Sequence, residues 1–100
     1  MHIRLLAVGE RQPAWVEDAF RIYAGRLPPH WKFRLDVIAT VKRSKSEDAQ
    51  RDIESEGEQI LARISAVEVV LLLDEKGKQP ASEDLATMLS AWQADGRDLC

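Results

Sequence analysis

The run Val67, Glu68, Val69, Val70, Leu71, Leu72, Leu73, closed by Asp74 and followed at once by Glu75, Lys76, Gly77 and Lys78, constrains the fold more than any other stretch of this chain. A continuous apolar run ending in a carboxylate and a glycine turn reads as a strand buried on both faces, as in a parallel sheet with helices on either side. The run is therefore expected to be the central strand. In open α/β sheets ligands bind outside the carboxyl ends of the strands, so chemistry is expected at residues 73–78. A packed core strand with a solvated turn has the same pattern, because a fold does not supply a function.

With 100 residues the chain makes one domain of ordinary size. The apolar stretch from Leu5 to Val8 is far too short for a signal-peptide core or a membrane span, which predicts a cytoplasmic protein. The single cysteine, Cys100, cannot make an internal disulfide and offers no metal-ligand cluster. The formal charge of −3 conceals an uneven distribution: residues 1–45 carry +5 and residues 46–100 carry −8. A basic first half suits a phosphate backbone, although an acidic exposed helix in the second half produces the same asymmetry without any partner.

Residues 2–8 read as a first strand closed by Gly9. Pro13 sits at the start of an amphipathic helix whose apolar positions are Val16, Phe20, Tyr23 and Leu27, and Pro28 and Pro29 forbid its continuation. Trp15 is expected to cap the packed face of that helix, a stacking role being the other reading. Residues 31–37 alternate apolar and polar, the pattern of a strand nearer an edge, with Lys32 and Arg34 outward. The loop that follows gathers Lys42, Arg43 and Lys45, which reads either as a phosphate contact or as a solvated loop.

A second helix is expected to start near Ser44 or Ser46, with Ala49, Ile53, Ile60, Leu61 and Ile64 inward and a face of acids outward. Gly57 in its middle either relieves close packing or is simply tolerated, at about 1 kcal/mol relative to alanine. After the residue 67–74 strand, Ser82 with Glu83 and Asp84 supplies a cap for a third helix carrying Leu85, Met88, Leu89 and Trp92, which Gly96 stops. Leu99 and Cys100 then read as the first residues of one more strand. The order is βαβαβα, a three-layer α/β domain with a largely parallel sheet. A dinucleotide glycine fingerprint, a phosphate loop, a nucleophile elbow, a paired-cysteine motif and a histidine-carboxylate metal pattern are all missing from the sequence.

Leu6 to Gly9, Pro13 to Trp15, Phe20 to Tyr23, Glu56 to Leu61, Leu72 to Asp74 with Gly77 and Lys78, and Trp92 to Asp98 stand in an order and spacing that resembles a known family. The chain is similar to the amino-terminal two-thirds of the large-subunit ribosomal RNA methyltransferase H family. These are knotted SPOUT-class enzymes that methylate N3 of a pseudouridine using S-adenosylmethionine. The resemblance implies the pre-knot part of an α/β-knot fold, a homodimer, ribosomal RNA as partner and S-adenosylmethionine as cofactor. It places Leu73 at the cofactor-lining end of the third strand and assigns no catalytic residue or metal to this chain. In the family pattern a glycine-rich loop, the knot strands and a basic tail lie beyond the position of Cys100. The resemblance thus implies a truncated form without activity of its own. The alternative is a non-catalytic module that contacts RNA or dimerises.

Overall fold

A computed structural model of the chain describes residues 1–9, 12–40 and 49–100. Strand β1 (Arg4–Val8) pairs in parallel with β2 (Arg34–Ile38), in register from Arg4 opposite Arg34 to Val8 opposite Ile38. On the other edge of β1, Leu99 makes parallel bridges to both Ile3 and Val69. Arg4 N donates to Leu99 O at 3.0 Å, and Leu99 N donates to His2 O at 2.9 Å. Leu71 N in turn donates to Cys100 O at 2.8 Å. The parallel order is therefore β2, β1, residues 98–100, residues 69–71, and Leu99 is the start of a strand as its position after the third helix predicts.

The run at 67–74 departs from expectation. Among the described residues it occupies the outer position of that order rather than the centre, and its bonds to the ladder run from Val69 and Leu71 to residues 98–100. Its side chains are correspondingly open: Val67 is 76% exposed, Leu72 79% and Leu73 76%. Two-faced hydrophobicity shows that a strand is meant to be covered, but not where it stands in the order.

Three helices flank the sheet. Helix α1 (Ala14–Ala24) has Pro13 at its N-cap, where a missing N–H costs nothing, and ends at Gly25. Its Val16 and Phe20 share a groove with Leu5, Ala7, Leu35 and Val37 on one sheet face, and Phe20 meets Phe33 with ring centroids 5.8 Å apart. A 3₁₀ turn at Pro29–Trp31 leads into β2. Helix α2 (Ala49–Arg63) packs against β2 from the opposite face, where Arg4 Nη2 reaches the Arg63 carbonyl at 2.6 Å. This is the α/β layering that the sequence predicts.

Helix α3 (Ser82–Ala94) begins one residue earlier than its expected cap, with Ala81 at the N-cap position and Ser82 as the first helical residue. Asp84 Oδ2 accepts from Ala81 N at 3.3 Å, the half of a capping box that needs no side chain on the cap. Gly96 closes the helix at φ +70°, with Arg97 N donating to Trp92 O at 3.1 Å and Gly96 N to Gln93 O at 3.0 Å. Those are the paired bonds of a Schellman motif.

Burial is thin. Ile38, fully shielded, and Leu99, 5% exposed, are the buried apolar residues among those described. The radius of gyration is 15.6 Å, against about 13 Å for a compact chain of this length. Trp15 is 73% exposed rather than packed, and on α2 Ile53 and Leu61 are 60% and 70% exposed rather than inward. Along β2 the alternation is weakened: Leu35 and Val37 are exposed while Asp36 is half-buried, because Asp36 faces Arg4 across the strand pair.

Candidate functional site: a cleft outside the strand at 69–71

Past Leu71 the backbone leaves the ladder and turns. Asp74 builds the turn twice over: its Oδ1 accepts from Lys76 N at 2.8 Å, and its carbonyl accepts from Gly77 N at 2.9 Å. A side chain on Gly77 would bring its Cβ to 3.1 Å from that same carbonyl, so the turn favours glycine sterically. The turned segment and α3 enclose an open cleft of about 940 Å³, walled by Leu71, Leu73, Pro80, Leu85 and Met88 and edged by Glu75 and Lys78. Its position outside the carboxyl end of a parallel strand is the expected one for a ligand. The volume falls within the range of small-molecule sites, and apolar walls with a few charges at the edge are the common lining of such sites. Leu73, at 76% exposure, forms one wall of an open surface rather than of a closed pocket.

Leu73 and the residue 74–78 turn are thus together at the cleft. Lys42, Arg43 and Lys45 lie outside the described residues. Leu85 and Met88, read from sequence only as packing positions, are instead the opposite wall. Their spacing of three on one helical face was the available signal, but it does not distinguish packing on a sheet from lining a cleft.

The opposite, amino-terminal end of the strands holds a second charged group that periodicity gives no sign of. Arg4 Nη2 contacts Glu68 Oε1 at 2.7 Å, and that oxygen also accepts from Ser65 N at 2.8 Å. Arg4 Nη1 lies 3.7 Å and Arg34 Nη2 3.4 Å from Asp36 Oδ2. Asp98 Oδ1 accepts from His2 N at 2.8 Å. The one trace in sequence was a cation, Arg4, inside an otherwise apolar first strand. Among the described residues no group of three His, Cys, Asp or Glu side chains is placed to hold a metal ion, and no helix is long and apolar enough to cross a membrane.

Comparison with known proteins bears on the whole chain. A protein called ribosomal RNA large subunit methyltransferase H from Thioalkalivibrio sulfidiphilus (strain HL-EbGR7) is 44% identical over 99 residues, which is 99% of this chain and 64% of that protein. Its namesake from Azotobacter vinelandii (strain DJ / ATCC BAA-1303) is 41% identical over 97 residues, 97% of this chain and 63% of that protein. The chain therefore spans less than two-thirds of the length of these curated relatives. The family described as "Predicted SPOUT methyltransferase" matches residues 1–100 without remainder. This chain belongs to the SPOUT methyltransferase family.

Proposed function

We propose that this chain provides the cofactor-facing strand and turn of an S-adenosylmethionine-dependent methyltransferase acting on N3 of a pseudouridine in large-subunit ribosomal RNA, working as a homodimer in the cytoplasm. The observation that carries the proposal is the coincidence of two independent placements. The family match runs through the whole chain, and the cleft at residues 71–88 lies where the fold puts a ligand. Leu73 contributes apolar contact to the adenine, and the turn after it contributes backbone groups. Lys42, Arg43 and Lys45 contact RNA phosphates. Methyl transfer from a sulfonium to a ring nitrogen depends on aligning donor carbon and acceptor, so positioning supplies much of the catalysis. An open wall holds the donor only weakly, because ligand sites bury most of the bound molecule. The 100 residues by themselves are therefore proposed to bind the donor poorly and to transfer no methyl group.

The test is calorimetric titration with S-adenosylmethionine of two proteins. One is the 100-residue chain. The other is a chimaera in which it is joined to the part of the Thioalkalivibrio relative that it does not match. Weak or absent binding by the first, with tight binding and methyl transfer by the second, is expected, and Leu73→Asp in the chimaera removes both. Tight, saturable binding by the short chain, abolished by Leu73→Asp, would show instead that its cleft is complete. A chimaera that binds RNA but neither binds the donor nor transfers a methyl group favours the non-catalytic module.

A further inference from the structure

The amino ends of the strands enclose a hollow of about 580 Å³, on the other end of the sheet from the cleft at residues 71–88. Four separate pieces of chain meet there. They bring His2, Lys32, Arg34, Arg63, Glu68 and Asp98 to its lining, around the guanidinium of Arg4. We propose that this hollow binds the phosphate backbone of RNA, with Lys32 and Arg63 as the phosphate-contacting cations; the identity of the nucleic acid rests on the ribosomal RNA reading above.

The charge of the hollow is not what its composition suggests. Glu68 is taken up by Arg4 at 2.7 Å and by the Ser65 N–H at 2.8 Å, and Asp98 is taken up by the His2 N–H at 2.8 Å. Arg34 shares Asp36 with Arg4. Glu68 and Asp36 are thus ion-paired within the fold, whereas Asp98 keeps its charge and is held by a hydrogen bond alone. Among the described residues neither the Lys32 ammonium nor the Arg63 guanidinium has an ion-pair partner, and both residues are exposed. The Arg63 carbonyl, which a cation at a helix end often serves, already accepts from Arg4 Nη2. Its guanidinium is left for another anion.

Lys32 is held at φ +48° and ψ +45° by its N–H bond to Pro29 O at 3.1 Å, which fixes the backbone from which its ammonium projects. One further observation favours a phosphate chain over an acidic protein. Among the described residues none of the large exposed apolar ones lines the hollow, whereas protein interfaces are anchored by apolar and aromatic side chains at their centre. Charge without an apolar anchor is the character of a backbone-positioning contact. The fold also brings Arg63, from the acidic half of the sequence, into the same hollow as Lys32 and Arg34 from the basic half.

Binding of a short ribosomal RNA fragment is measured by fluorescence anisotropy over a series of KCl concentrations. The proteins are the 100-residue chain, the Lys32→Gln/Arg63→Gln double variant, Lys32→Arg/Arg63→Lys, and Arg21→Gln as a loss of one cation outside the hollow. Each phosphate contact contributes about 0.7 to 0.9 to the log–log salt slope, so the double variant is expected to flatten it by about 1.4 to 1.8 and to weaken binding several-fold at low salt. The charge-keeping variant retains the slope, and Arg21→Gln changes it little. Inorganic phosphate at millimolar concentration competes poorly with RNA if the hollow tracks a backbone, and equally well per phosphate if it takes a free anion, which overturns the RNA assignment. An unchanged slope in the double variant overturns the proposal, as does a parent chain that shows no salt-dependent RNA binding. These outcomes are independent of donor binding at Leu73, so either reading can fail while the other stands.

Discussion

Arg4 and Glu68, 64 residues apart in sequence, meet at 2.7 Å with side chains only 17% and 12% exposed. The contact fastens the first strand to the stretch leading into the outer one, and Arg4 adds a bond to the end of α2 at the Arg63 carbonyl. Removing one member of a shielded, hydrogen-bonded pair strands the other charge. Glu68→Ala is therefore expected to lower stability by about 1 to 3 kcal/mol. Asp36, more exposed at 28% and 3.7 Å from Arg4, belongs to the weaker class of pairs, and Asp36→Ala should cost under about 1 kcal/mol. Urea midpoints at constant slope read both; equal losses would mean that the short contact adds nothing special.

Two glycines with equally open surroundings are expected to respond with opposite signs. A Cβ on Gly57 or on Gly96 meets nothing within 4 Å. Gly57 lies inside α2, so Gly57→Ala should stabilise by about 0.5 to 1 kcal/mol through helix propensity alone. Gly96 holds φ +70° in the Schellman turn, and Gly96→Ala should destabilise by about 1 to 2 kcal/mol. Thermal melts of the two variants check this, and a destabilised Gly57→Ala would reveal a contact that the helix surface does not show.

The outer edge at residues 67–73 is apolar and open, with Val67 76% and Val70 54% exposed. Such an edge invites strand addition, so the chain is expected to self-associate at high concentration. Val67→Lys with Val70→Lys should shift it toward monomer in sedimentation velocity. A parent chain that stays monomeric, with a cooperative melt, contradicts this.

Replacing Lys42, Arg43 and Lys45 together by glutamine is expected to flatten the salt dependence of RNA binding in the donor-binding chimaera by about two units or more, at roughly 0.7 to 0.9 per phosphate contact. The same slope with and without them would make that loop merely solvated. Combined with Lys32→Gln/Arg63→Gln the losses should add, since separate phosphate contacts release separate counterions.

Much of the layout was legible because local rules coincide with the fold. A short apolar run and the glycine stop outline β1, Pro13 and the spaced apolar residues outline α1, and Gly96 ends α3 by a backbone conformation that glycine adopts readily. Leu99 was recognisable as a strand start because a helix crossing a parallel sheet must deliver one. Strand order was not legible: hydrophobic content says how much cover a strand needs, and residues 67–74 need more than their outer place provides. The candidate cleft was half legible for the same reason. Leu73 and the Asp74 turn follow from the carboxyl-end rule, whereas the wall from Leu85 and Met88, and the Arg4 pair at the other end, depend on contacts between distant segments. Trp15 and Leu61 misled because an apolar residue at helical spacing is read as inward whether or not anything faces it.

Leu99 lies between Ile3 and Val69, so the inner position of the sheet is filled by a residue that leaves the ribosome long after both of its neighbours. His2 and Asp98, which meet beside it, are 96 residues apart. At about 5 to 20 residues per second, the free edge of the first strand waits on the order of 5 to 20 s for its proper neighbour during synthesis. For the last part of that interval, about 1.5 to 6 s at the same rate, Val69 is already made and has the same parallel edge of β1 within reach. A premature pairing there would have to open again before Leu99 could be inserted, which makes this step a natural point of delay in the birth of the protein.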